Sequence, residues 1–270
     1  MPRGPVCETY TRRVLSLIPI SDANPTGTTP YVTIGLIVAN VLAFFFLEPS
    51  FGNGPEATAY FFENAPLPCQ AAEVFDDGST DCPVGTFAFG GDTVTIPDRD
   101  LVSLLGAIVL STFLHAGFLH IIGNMLFLWV FGNNIEDFLG HVKYLIFYLL
   151  AGMAASFAHI LVNLNDQIPS VGASGAVAGV MGAYLVLFPH ARVNVLVPIF
   201  FFITIVQLSA VVVLGIWFLY QFLIGAQAAA GATSVAWMAH VGGFVFGAVV
   251  IFLLGGRPQR PRPRYAWPDI

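Results

Sequence analysis

Residues 172–188 have the sequence GASGAVAGVMGAYLVLF, a run that contains no Asp, Glu, Lys or Arg. Within it Gly175, Gly179 and Ala183 recur every four residues, which places them on one face of a helix. Small residues at this spacing let a second helix backbone come close inside a lipid bilayer. The stretch therefore predicts a membrane-spanning helix that packs tightly against a neighbour.

The whole chain of 270 residues shares this apolar character, because 56% of its residues are hydrophobic and only 10% are charged. Soluble domains carry about 25% charged residues, so disorder, a disulfide scaffold and nucleic-acid binding through a basic surface are excluded. Six apolar runs have roughly the length that a helix needs to cross a hydrocarbon core about 30 Å thick. These runs are residues 32–47, 113–130, 144–162, 173–188, 208–224 and 235–254.

Two of the runs have apolar extensions, residues 101–112 and 193–207, which we predict to be interfacial or partly buried helices. With six spans, nine of the ten Lys and Arg residues fall on one side of the membrane and only Arg99 falls on the other. Such a bias marks the cytoplasmic side. The prediction is an all-α, polytopic membrane protein with six transmembrane helices and both termini in the cytoplasm.

This topology divides the chain into a cytoplasmic tail (residues 1–30), a membrane domain (31–255) and an Arg- and Pro-rich cytoplasmic tail (256–270). A long outer loop, residues 48–112, holds ten of the sixteen acidic residues. It also holds Cys69 and Cys82, and an oxidising compartment permits but does not require a disulfide between them.

Polar side chains within the spans indicate function, because each is costly in lipid unless it is paired. The spans contain no carboxylate and no lysine, which excludes an aspartyl protease, a Ser-Lys dyad and a full Ser-His-Asp triad. The HExxH motif of zinc proteases is absent as well, and we expect no metal and no cofactor. The polar residues in or next to the spans are His115, His120, Asn124, His159, Ser174 and His240.

Ser174 and His240 are predicted to meet. Each lies 14 residues before the inner end of its run, hence about 21 Å above the cytoplasmic side. Small residues, including Gly243 on the last span, would let the two helices approach. His120 and Asn124 lie one helical turn apart and, with the Ser174 backbone N–H, could donate to the oxyanion of an acyl-transfer reaction. For each residue alone, a packed and hydrogen-bonded structural role is the alternative.

The combination of His115-x4-His120-x3-Asn124, residues 172–175 (GASG) and residues 239–243 (AHVGG) resembles the rhomboid intramembrane serine proteases. The resemblance covers roughly residues 29–255. Further positions that resemble the family are Phe131, Gly132, Glu136, Gly140, Tyr144, Tyr184, Pro189, Arg192, Trp217 and Gln221. One departure is the first loop, where residues 98–103 (DRDLVS) lack the Trp-Arg pair of many relatives.

The resemblance implies a bacterial-type serine endopeptidase in which Ser174 is the nucleophile and His240 the general base. His120 and Asn124 would form the oxyanion hole. Structural roles near the site are implied for His115, Gly172, Gly175 and Gly243. The expected partners are transmembrane protein substrates and the lipid bilayer. The site would open to the extracytoplasmic side of a bacterial inner or plasma membrane, with the fifth span as a gate and residues 227–236 as a cap.

Two other classes of protein remain as alternatives. A non-proteolytic rhomboid-like binding or quality-control factor would share the fold but usually lack the Ser-His dyad. A small transporter or channel would need an intramembrane charge or helix breaks in repeated halves, neither of which the sequence contains.

Overall fold

The computed structural model describes residues 18–75, 82–89, 92–199, 202–229 and 235–259. Its elements, in chain order, are β1 (Ile18–Asp22), α1 (Tyr31–Phe46), a 3-10 turn (Pro49–Gly52), α2 (Gly54–Asn64), α3 (Pro68–Phe75), β2 (Gly85–Phe89), β3 (Asp92–Ile96), α4 (Leu101–Ser111), α5 (Phe118–Leu139), α6 (His141–Val162), α7 (Ser174–Leu187), β4 (Arg192–Ile199), β5 (Phe202–Ser209), α8 (Ala210–Ala229) and α9 (Trp237–Leu253).

Six apolar helices, α1 and α5 to α9, correspond to the six predicted runs, although their ends differ. Among the described residues, three helices are long and apolar enough to cross a membrane by length and composition: Phe118–Leu139, His141–Val162 and Ala210–Gln227. The helices α1, α7 and α9 are equally apolar but shorter. The predicted fold class, a polytopic helical membrane bundle, is confirmed, while six complete crossings stay a prediction.

Helix α5 begins and ends later than its predicted run. It begins after Gly117, whose φ of 104° lies in the left-handed region that favours glycine. It continues past residue 130 because the polar side chains of its last turns have partners. The two carboxylate oxygens of Glu136 accept the backbone N–H groups of Val32 and Thr33 at 2.8 and 2.7 Å. A carboxylate there caps α1, whose N-terminus carries partial positive charge.

The segment 193–207, predicted to be helical, forms the antiparallel hairpin β4–β5, and β1 adds a third strand beside β4. The helix prediction was wrong because it used apolar content and ignored the period. Val193, Val195 and Val197 alternate and are all buried, which is the period of two that a strand requires. Pro198 is tolerated because it lies beyond the last residue of β4 that pairs with β1.

The sheet connects several elements at this end of the bundle. Asp22, at the end of β1, accepts hydrogen bonds from the Tyr184 hydroxyl of α7 at 2.6 Å and from Asn134 of α5 at 2.9 Å. Residues 18–22 are therefore part of the folded domain, although they fall within the predicted N-terminal tail. Residues 1–17 and 260–270 of the predicted tails lie outside the described residues.

The start of α8 is attached directly to the chain that follows α7. The Ala210 N–H donates to the Ala191 carbonyl at 2.9 Å, and the Val211 N–H donates to the Pro189 carbonyl at 3.0 Å. The hairpin thus returns the chain to the end of α7 before α8 begins.

Helices α7 and α9 run parallel and touch through backbone atoms. A Cβ added to Gly243 would overlap the Gly175 carbonyl oxygen, and one added to Gly247 would overlap the Gly179 carbonyl oxygen. The small residues recognised in the sequence therefore form one interface, as the four-residue spacing predicts. This interface sets the relative height of the two helices that carry Ser174 and His240.

The outer loop, residues 48–112, is itself folded. It contains α2 to α4 and the hairpin β2–β3, and its buried side chains include the disulfide pair Cys69–Cys82. The extension 101–112, predicted to be helical, corresponds to α4. Residues 98–103 lack a Trp-Arg pair, and Arg99 donates within the loop to the Glu63 carbonyl at 2.6 Å.

The outer loop also binds the connection that leads into α7. The Cys69 N–H donates to the Asp166 carbonyl at 3.1 Å, and the Ser170 N–H donates to the Pro66 carbonyl at 3.1 Å. The Gly172 N–H in turn donates to the Ser111 carbonyl at 2.9 Å. The approach to Ser174 is therefore held by backbone hydrogen bonds on both sides.

Candidate active site

Ser174 is the first residue of α7, immediately after the turn at Gly172. Gly172 has a φ of 127°, and a Cβ there would lie 2.7 Å from the Nε2 atom of His120. Only glycine satisfies both conditions. Because Ser174 begins the helix, its backbone N–H has no acceptor within the helix and can bind an external acceptor.

The second residue of the predicted dyad, His240, lies in the first turn of α9. Its Nε2 atom lies 2.8 Å from Ser174 Oγ, which is hydrogen-bonding distance. The close contact of α7 with α9 produces this distance, since Gly243 packs on Gly175 directly below the pair. The structure thus brings together the two residues that the sequence predicted to meet.

The other ring nitrogen of His240 has a partner that sequence reasoning did not assign. The Nδ1 atom lies 2.8 Å from Oε1 of Gln221, a buried residue of α8. The Trp217 ring lies beside the imidazole, with ring centroids 5.9 Å apart. A glutamine within the charge-free run 208–224 was the sequence signal for Gln221, but nothing in the sequence connected it to His240.

The predicted oxyanion-hole residues lie on the opposite side of Ser174. The backbone N–H of Ala116 donates to His120 Nδ1 at 3.2 Å, so a neutral His120 ring carries its proton on Nε2, next to Gly172 and Ser174. Asn124 Nδ2 is buried and has no hydrogen-bond partner among the described residues. Both side chains line the same cavity as Ser174.

This cavity has a volume of about 920 Å³ and contains His240 and Gln221 in its wall as well. Its lining is mainly apolar and includes Phe127 of α5 and Ile216 of α8. Val235 and Ala236, at the end of the segment predicted to cap the site, also line it. The middle of that segment, residues 230–234, lies outside the described residues.

His115 lies behind His120 and is fully buried, with the two ring centroids 5.2 Å apart. Its backbone N–H donates to Glu48 Oε1 at 3.0 Å. Burial raises the pKa of Glu48 to about 7, although the hydrogen bond from His115 opposes that shift. Sequence reasoning did not place Glu48 here, because no motif or spacing links it to His115, which lies 67 positions away.

His159 is not part of this arrangement. Its ring and backbone carbonyl accept from Asn163 at 3.2 and 2.9 Å, one turn further along the chain. Among the described residues that line the cavity, His159 is absent. Of the polar residues singled out within the spans, it therefore fits the structural alternative best.

Charge is distributed unevenly between the two ends of the bundle. Lys143 at the start of α6, Arg192 after α7 and Arg257 after α9 all lie at one end, together with Asp22. Ser174 and His240 lie toward the other end, on the side of the outer loop that contains Arg99. Lys143, Arg192 and Arg257 thus lie at the end opposite Ser174, and which side of a membrane this end faces stays a prediction.

The protein is a polytopic helical membrane bundle in which a serine and a histidine lie in hydrogen-bonding contact at the wall of an apolar cavity. Comparison with known families gives the narrower assignment: the family model of the rhomboid domain matches residues 104–257. The chain belongs to the rhomboid family.

Individual relatives are similar over shorter stretches. The chain is 37% identical over 99 residues to Rhomboid protein 1, mitochondrial, of Saccharomyces cerevisiae, which covers 35% of this chain and 29% of that protein. It is 32% identical over 142 residues to Presenilin-associated rhomboid-like protein A, mitochondrial, of Danio rerio, covering 52% and 35% of the two chains. A mouse relative, Presenilin-associated rhomboid-like protein, mitochondrial, is 33% identical over 112 residues, covering 40% and 30%. The chain thus spans about a third of the length of these curated relatives.

Proposed function

We propose that the protein is an intramembrane serine endopeptidase that cleaves transmembrane segments of other membrane proteins. Ser174 is the nucleophile and His240 the general base. The observation that carries the proposal is the 2.8 Å contact between Ser174 Oγ and His240 Nε2 at the wall of the cavity. Membership of the rhomboid family supports the same reaction class.

In the first step Ser174 Oγ attacks a peptide carbonyl carbon while its proton passes to His240 Nε2. Negative charge develops on the carbonyl oxygen as the tetrahedral intermediate forms. The Ser174 N–H, the His120 Nε2–H and the Asn124 amide are the donors available to that oxygen. Neutral donors that are already in place stabilise the intermediate without reorganisation during the reaction.

Collapse of the intermediate breaks the C–N bond, and His240 returns its proton to the leaving amine. The product is an acyl-enzyme on Ser174 and a free amino terminus. A water molecule then gives a proton to His240 and attacks the ester carbonyl. The bond between the acyl carbon and Ser174 Oγ breaks, the carboxylate product leaves, and His240 returns the proton to Oγ. The groups that carry out each step belong to this chain, and the reaction needs no external electron donor or acceptor.

Substrates are proposed to enter sideways between α5 and α8, two helices that both line the cavity. A helical substrate keeps its carbonyls in its own hydrogen bonds, so cleavage requires local unwinding. Segments with Gly or other weak helix-forming residues near the cleavage site should therefore be preferred. The apolar wall of the cavity suits the side chains of such a segment.

The site is proposed to open on the side of the membrane that faces away from the cytoplasm. The described positive residues Lys143, Arg192 and Arg257 lie at the opposite end, which the positive-inside rule assigns to the cytoplasm. Location in a bacterial plasma membrane stays a prediction, and the relatives found carry mitochondrial names. The domain limits 1–30, 31–255 and 256–270 are likewise kept as proposals.

The decisive experiment combines cleavage with covalent labelling of the reconstituted full chain. Wild type should cleave a transmembrane substrate and react with a fluorophosphonate, and Ser174→Ala should do neither. His240→Ala should cleave no substrate. Ser209→Ala and His190→Ala, which change the same residue types at the far end of the bundle, should retain both properties.

Two results would decide against the protease. Equal turnover by wild type and Ser174→Ala would remove Ser174 from the reaction. Folded wild type that neither cleaves nor labels would favour the alternative, a non-proteolytic rhomboid-like protein that binds membrane proteins.

A further inference from the structure

Gln221 connects α8, one of the helices that line the cavity, to His240, the proposed base. It lies on α8, is buried, and is placed with its amide between two fixed groups. On one side Nε2 donates to the Trp217 backbone carbonyl at 3.1 Å. On the other side Oε1 lies 2.8 Å from His240 Nδ1.

The Trp217 carbonyl determines which way the Gln221 amide points. A carbonyl oxygen can only accept, so the NH2 end of the amide must face it. Reversing the amide would place two acceptor oxygens against each other and lose the hydrogen bond. The oxygen of the Gln221 side chain therefore faces His240.

An amide oxygen next to His240 Nδ1 in turn selects the histidine tautomer. Because Oε1 can only accept, Nδ1 must carry the ring proton of the neutral imidazole. The other nitrogen, Nε2, is then unprotonated and accepts from the Ser174 hydroxyl. The opposite tautomer would place an N–H against Ser174 and could not take up its proton.

We propose that Gln221 is the positioning residue of this site and holds His240 in the tautomer that can deprotonate Ser174. Because Gln221 lies on α8, the tautomer of His240 depends on the position of that helix. The inference rests on the proposed protease function. In a Ser-His-Asp triad a buried carboxylate accepts from the histidine Nδ1–H. Here a neutral amide does so, which avoids burying a charge within the bilayer.

A purely structural role for Gln221 predicts different behaviour. A buried amide that only fills space would be replaced by leucine with an effect on stability and none on the tautomer. A positioning role predicts that leucine impairs the chemical step, while glutamate, which keeps an acceptor at the same place, restores it. The variants Gln221→Leu and Gln221→Glu separate the two roles.

The kinetic test uses reconstituted full-length protein and one transmembrane substrate. Gln221→Leu should lower kcat between about tenfold and hundredfold with little change in KM, since general-base catalysis is worth at least this much. Gln221→Glu should recover most of kcat and shift the acidic limb of the pH profile to higher pH, because a carboxylate stabilises the imidazolium. Gln207→Leu, which changes an exposed glutamine of β5 at the far end of the bundle, is the control and should behave as wild type.

Nitrogen NMR of protein labelled with 15N-histidine tests the tautomer without relying on turnover. The His240 signal, identified by its loss in His240→Gln, should show a protonated Nδ1 and a bare Nε2 in wild type. In Gln221→Leu this preference should be lost. A protonated Nε2 in wild type, or an unchanged tautomer in the variant, would overturn the inference.

The two proposals can fail separately. If wild type cleaves, Ser174→Ala does not, and Gln221→Leu matches Gln207→Leu in kcat and tautomer, then the protease stands and the positioning role is wrong. If wild type neither cleaves nor labels, the protease proposal fails, and the NMR measurement still decides what Gln221 does to His240.

Discussion

Gly247 of α9 lies against Gly179 of α7 so closely that a Cβ on Gly247 would overlap the Gly179 carbonyl oxygen. Gly247→Ala should therefore push the two helices apart and separate Ser174 from His240. We expect the free energy of unfolding to fall by about 1–3 kcal/mol, the usual cost of overpacking. Turnover should fall together with stability. SDS titration in mixed micelles and a cleavage assay measure the two effects.

Gly215→Ala is the matched control for this prediction. Gly215 lies in α8, and a Cβ there would meet no atom within 4 Å. The substitution should slightly stabilise the helix, because alanine has the higher helix propensity. If Gly247→Ala were as stable and as active as Gly215→Ala, the close contact would not be what positions the dyad.

A second prediction concerns the turn that precedes the nucleophile. Gly172→Ala combines a positive φ with a Cβ that would lie 2.7 Å from His120 Nε2, so we expect His120 to be displaced and kcat to fall by at least about tenfold, or 1.4 kcal/mol. Gly255→Ala also places a side chain at a positive φ, 79°, but with no neighbour within 4 Å of the added Cβ. The comparison in a kcat assay isolates the displacement of His120, and equal kcat values for the two variants would contradict it.

The proposed oxyanion hole makes a third prediction. Asn124→Ala removes a buried donor whose partner would be the developing oxyanion, so kcat should fall by up to about 10²–10³-fold, or 2.7–4 kcal/mol, with KM nearly unchanged. Asn133→Ala, on the same helix but near its other end, should keep the wild-type kcat. Steady-state kinetics distinguish the two variants. An unchanged kcat in Asn124→Ala would remove this residue from the oxyanion hole.

A fourth prediction follows from Glu48. Its pKa is about 7 in the folded protein against an ordinary value of 4.5, so between these pH values the folded state holds the proton that the unfolded chain has released. The free energy of unfolding should therefore decrease as pH rises from about 4.5 to 7 and level off above. Glu48→Gln keeps an acceptor for the His115 N–H and should lose this part of the pH dependence.

Unfolding midpoints at pH 5 and pH 8 test the effect of Glu48. The drop between these pH values should be smaller in Glu48→Gln than in wild type. Glu56→Gln, which changes an exposed carboxylate of α2, should keep the wild-type drop. Identical drops in all three proteins would show that Glu48 ionises as an ordinary surface acid.

The helices and the Ser174–His240 pair were predictable because their signals are local. Charge-free runs predict helices in a membrane, and small residues at a spacing of four predict the interface that joins α7 to α9. The hairpin β4–β5 was missed because residues 193–207 are mostly apolar, which makes the two-residue period of a strand hard to recognise. In this case the valines at 193, 195 and 197 carried the decisive pattern.

The surroundings of the site could not be predicted in the same way. Gln221 and Glu48 form hydrogen bonds with histidines that lie 19 and 67 positions away, and no spacing rule connects them. The outer loop was harder still, because its anchoring depends on backbone hydrogen bonds such as that from Ser170 to Pro66. Contacts of this kind depend on the final path of the chain rather than on residue type.

The attachment of α8 to the end of α7 gives that helix a fixed pivot. Gln221 lies eleven residues from Ala210, or about 16 Å along the helix axis. At this lever arm a tilt of about 10° would move the Gln221 amide by roughly 3 Å, the length of the hydrogen bond that it makes to His240. A substrate that tilts α8 outward would break the hydrogen bond between Gln221 and His240. The bond would form again only when the helix returned.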